Sequence, residues 1–216
     1  MSCSILLARV DWVQLCTEVD LHPDPEEFLD LYGFDAPDWW VSTGISEEGS
    51  EYFASHKYAS ILMRDVYENI RSTLSDEQRK VTDPIVNLVA CGYYNPESEY
   101  YQRRKETISG DTAEYYALPF DLGEQHRRFQ HETSFVAVLS PETVHHYLLL
   151  WDKLPYGDLR EGFEALRARG LENPDWRFIE EWFDGWPRLR GYFDAFRYQL
   201  ELCRADGFGF VLQVWC

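Results

Sequence analysis

The sequence predicts an α+β fold: a single helix-rich domain over residues 1–216 with a small sheet that includes the N- and C-terminal strands. Three observations lead there. Short apolar runs without helical spacing lie at Ser4–Val10 and Phe208–Trp215. Between them, apolar residues recur every three or four positions, and helix-boundary residues flank them. Strands and helices do not alternate regularly, as a parallel sheet with crossover helices would require. At 216 residues with 45% apolar content, the chain buries enough surface to fold without disulfide or metal staples. It shows no internal repeat, low-complexity tract or linker, so one domain is expected.

Ser4–Val10 is short and mostly apolar, as a buried strand is. Asp11 is placed to cap a short helix running through Glu18. Pro23 and Pro25 interrupt the chain, and Asp24-Pro25 then open a helix with Phe28, Leu29 and Leu31 that Gly33 ends. Phe34–Gly44 reads as an aromatic loop holding Trp39 and Trp40. A long helix is expected over about Ser46–Leu74, with Phe53, Ile61, Leu62, Val66, Tyr67 and Ile70 on its apolar side. Ser75 and Gln78 form a capping box for the next helix. Pro84 is expected to kink or restart that helix, and Gly92 to stop it.

Residues 93–134 are the least regular stretch, with three Tyr-Tyr pairs and the basic clusters Arg103-Arg104-Lys105 and Arg127-Arg128. Ser134–Leu139 reads as a strand. Ser140-Pro141-Glu142 is a strong helix start, because a capping hydroxyl precedes proline in the first turn. Further helices are expected near Leu159–Arg169, after Asn173-Pro174, and from Pro187. The last of these carries Leu189, Phe193, Phe196, Leu200 and Cys203 on one side, and Gly207 is its expected stop. Phe208, Phe210, Leu212 and Val214 then share one face of the closing strand.

The charge narrows the function. Lys and Arg number 20 against 38 Asp and Glu, a net charge of −18. Binding to nucleic acid by counterion release needs the opposite balance, as does binding to an anionic membrane. The acidity is also segregated. Residues 1–55 carry twelve acids and one base, Arg9, for a net −11. Met1–Arg9 lacks a secretion signal's early basic region, and no run approaches the ~20 apolar residues of a membrane span. The five cysteines are scattered and unpaired in spacing, which predicts reduced thiols in a cytoplasm and no cysteine zinc site.

Signatures of known chemistry are missing: no phosphate-binding glycine loop, no nucleophile elbow and no H-E-x-x-H. The six histidines are not spaced to share a metal, so no metal and no cofactor is expected. Glu180, Glu181 and Asp184 beside Trp182 and Trp186 have the composition of a sugar-site lining, and equally that of a solvated helix face. Tyr100, Tyr101, Arg103 and Arg104 offer stacking surfaces and guanidinium forks to an anionic ligand, although Glu97, Glu99 and Glu106 are nearer partners.

The sharpest candidate is the acidic stretch Glu26, Glu27, Asp30, Asp35 and Asp38 next to Trp39 and Trp40. Tryptophan anchors within a negative field suit an interface with a basic protein. The plain alternative is that both tryptophans are core and the acids a solvated rim.

The C-terminal third resembles the YfbM-like family of bacterial proteins. The resemblance rests on Ser140-Pro141-Glu142 with Val144, on Leu159 within Asp158-Leu159-Arg160, and on the late helix with Leu189, Tyr192 and Phe196. Ala205-x-Gly207 leading into Phe210-Val211-Leu212 completes it, and the short opening strand followed by a helix also fits. The family's mid-chain Lys-Trp-His type segment is not present. The resemblance implies a cytoplasmic α+β protein and supplies no catalytic residue. The net −11 of the first 55 residues, the 16% aromatic content and the missing catalytic signatures make the leading expectation a non-enzymatic, cytoplasmic protein-binding module of the immunity or antitoxin-like kind, with a basic protein as partner. Two alternatives stand beside it: an enzyme with a carboxylate- and aromatic-lined cleft acting on a sugar or nucleotide, and an acidic DNA mimic.

Overall fold

A computed structural model describes residues 4–21, 40–42, 62–63, 66–90, 119, 121–122, 134–170 and 185–215. Four strands, β1 (Ser4–Val10), β2 (Trp40–Ser42), β3 (Ser134–Leu139) and β4 (Gly209–Trp215), form one sheet in the order β2-β1-β4-β3. All three pairings are antiparallel. β1 and β4 pair along their whole length, from Ser4 opposite Trp215 to Val10 opposite Gly209, so the two terminal strands meet as expected. Among the described residues, the outer edge of β3 is met at Val138, which donates its N–H to the Pro119 carbonyl and whose own carbonyl accepts from the Asp121 N–H, both at 2.9 Å.

The register sorts the side chains into two faces. Leu7, Ala137, Leu139, Phe210 and Leu212 share one face and belong to the helical core. Ala8, Val10, Val138 and Val211 share the other, and they too are buried. The alternation expected for β4 is present, but its second face is not wet, because β4 is an interior strand covered on both sides. Gly209 shows one cover directly: a Cβ there would meet the Trp12 ring at 2.7 Å and the Leu139 carbonyl at 2.8 Å.

The helices in chain order are α1 (Trp12–Leu21), α2 (Asp76–Ala90), α3 (Pro141–Trp151), α4 (Tyr156–Gly170) and α5 (Trp186–Asp206). Residues 62–63 and 66–71 are also helical. Asp11 caps α1 as expected, its Oδ1 accepting from the Val13 and Gln14 N–H groups at 3.0 and 3.1 Å. The helix continues past Glu18 to Leu21, held by buried Leu15 and Val19. The helix expected up to Leu74 ends at 71, where the Ile70 carbonyl accepts from Thr73 N, Leu74 N and the Thr73 hydroxyl.

The Ser75–Gln78 capping box forms, with Gln78 N donating to Ser75 Oγ and Ser75 N donating to Gln78 Oε1. Pro84 does not restart α2: the helix runs through it. Proline forfeits one helical hydrogen bond there, but buried Thr82, Ile85, Val86, Leu88 and Val89 hold both sides of it to the core.

Ser140 caps α3, accepting from Thr143 N at 3.2 Å, with Pro141 in the first turn. α4 begins three residues before the expected Leu159. α5 buries Leu189, Phe193, Phe196, Leu200 and Cys203 as its spacing demands, and adds Trp186 and Tyr192. Gly207 ends it in the left-handed conformation at φ 70°, and Phe208 N then closes back on the Cys203 carbonyl at 2.8 Å. Trp151 is the hub of the core, 6.1 Å from Phe193 edge-on and 6.4 Å from Phe196 stacked, while Phe196 reaches Phe210 on the sheet.

Candidate functional site

The acidic stretch is framed by two elements. α1 stops at Leu21 and β2 starts at Trp40, so residues 22–39 leave from a helix end and return to the sheet. Glu26, Glu27, Asp30, Asp35, Asp38 and Trp39 lie outside the described residues. Trp40 corrects part of the expected aromatic loop: Trp40–Ser42 is a strand, with Trp40 opposite Val10, Val41 opposite Arg9 and Ser42 opposite Ala8. β1 has one side open once β4 has taken the other, and a Trp-Val pair has strong strand preference. Among the described residues β2 is the end strand of the sheet. Tyr100, Tyr101, Arg103, Arg104, Glu180, Glu181 and Asp184 all lie outside the described residues, as do the helix expected at Asp24–Gly33 and the one after Asn173-Pro174.

The outward side of α1 is the part of this region seen in full. Val13, Thr17, Asp20 and Leu21 are exposed, opposite buried Leu15 and Val19. Val13 is 75% and Leu21 66% exposed. The helix has no basic residue, and its last turn holds Glu18 and Asp20. Gln14 Nε2 donates to Glu18 Oε1 at 2.7 Å, a neutral group answering a charged one. The Cys16 thiol is held above its ordinary range by burial first and by the Asp20 charge second. Helical spacing alone groups residues 13, 17, 20 and 21, but it does not say which side of the helix is covered. That is why Val13 and Leu21 were not legible as surface residues.

Elsewhere, polar groups tie elements together. The Tyr67 hydroxyl donates to Asp83 Oδ1 at 2.5 Å, and Arg71 grips the same carboxylate with Nε and one terminal nitrogen, both at 3.0 Å. Burial, then the Asp83 hydrogen bond, pushes the Tyr67 phenol far above its usual range, so it stays protonated and serves as a donor. Arg9, on the core face of β1, sends one terminal nitrogen to Asp206 Oδ2 at 2.5 Å across the end of α5. Its Nε and the Oε1 of Gln199 are buried without a protein partner. Beside them the Cys203 thiol is pushed up to about 12, by burial above all.

His145 and His146 are exposed on α3. Among the described residues, no three His, Cys, Asp or Glu side chains gather as a metal site would need. No helix among them is long and apolar enough to cross a membrane. Comparison with family models, with curated proteins and with solved structures finds no match.

Proposed function

We propose that this chain is an acidic protein-binding module, acting as an immunity or antitoxin-like inhibitor whose partner presents a basic surface. The observation that carries this reading is the segregation of charge: net −11 of the total −18 lies in residues 1–55, much of it on the stretch between α1 and the sheet edge. A solubility charge has no reason to concentrate there, whereas a face that steers and holds a cationic partner does. The exposed apolar residues of α1 next to this stretch support the same reading, because an interface needs apolar contact as well as charge.

The test is charge reversal at Glu26, Glu27, Asp30 and Asp38. Proteins retained by the parent chain are identified, purified and titrated against both forms at low and high salt. The parent should bind with an affinity that falls steeply with salt, and the reversed form should lose most of it. Binding indifferent to both reversal and salt would remove the electrostatic reading.

A further inference from the structure

We draw no further inference here: the strongest candidate, the outward face of α1 on which Val13 and Leu21 are exposed, carries none because nothing in the structure shows what covers it.

Discussion

Gly162→Ala is expected to destabilise the protein, and to do the reverse once Ile70 is cut back. Gly162 lies inside α4, where alanine is ordinarily better than glycine by about 1 kcal/mol. A Cβ at 162, however, would sit 2.5 Å from Cγ2 of Ile70, 3.3 Å from the Val66 carbonyl and 3.4 Å from Cγ1 of Val66. The Ile70 methyl is on a β-branched carbon with little rotamer freedom in a helix, and the carbonyl is backbone, so neither neighbour yields easily. Overpacking of this kind costs roughly 1–3 kcal/mol, which outweighs the helix preference and leaves a net loss of up to about 2 kcal/mol.

In an Ile70→Ala background the nearest obstacle is gone, and the same Gly162→Ala change should then stabilise by up to about 1 kcal/mol. Urea denaturation of the four proteins forms a double-mutant cycle, with the sign reversal as its readout. Equal effects of Gly162→Ala in both backgrounds would refute the close approach of α4 to the helical segment at 66–71.

Two further outcomes test other parts of the fold. Ser140→Ala removes the hydroxyl that accepts from Thr143 N at the start of α3 and should cost about 1 kcal/mol in urea denaturation. The Cys203 thiol is raised from 9.0 to about 12 by burial, so the folded state holds its proton where the unfolded chain releases it. That contribution to stability is complete below pH 9 and is lost as the pH rises towards 12, so Cys203→Ala should flatten the alkaline part of the stability curve; an unchanged slope would contradict the burial assigned to this thiol.

The elements that could be read in advance are those set by neighbours in sequence. The Ser75–Gln78 box, the Ser140-Pro141 start, the stripe of α5 and its Gly207 stop are all local devices, and the folded chain keeps them. What escaped depends on distant residues. Pro84 could have restarted a helix on local grounds, yet α2 is continuous through it, with buried residues on either side. β2 is three residues long, too short for any periodicity, and exists because β1 had an open side. The Arg9–Asp206 contact joins positions 197 apart, and no spacing rule could anticipate it. For the candidate site, the acidity of residues 22–39 was plain in composition. That the helix before it leaves Val13 and Leu21 exposed, and that a strand paired with β1 follows it, needed the fold.

The place of β4 in the sheet sets a timetable for the chain. It is the strand that joins β1 to β3, and it is encoded at residues 209–215. A ribosome must therefore make the described helices before the sheet can be zipped, and the side of β1 not taken by β2 waits for a partner roughly 200 residues away. Until then the inner edges of β1 and β3 are open to wrong pairing, so nascent chains stalled ahead of residue 209 should be far more prone to aggregate than the finished protein.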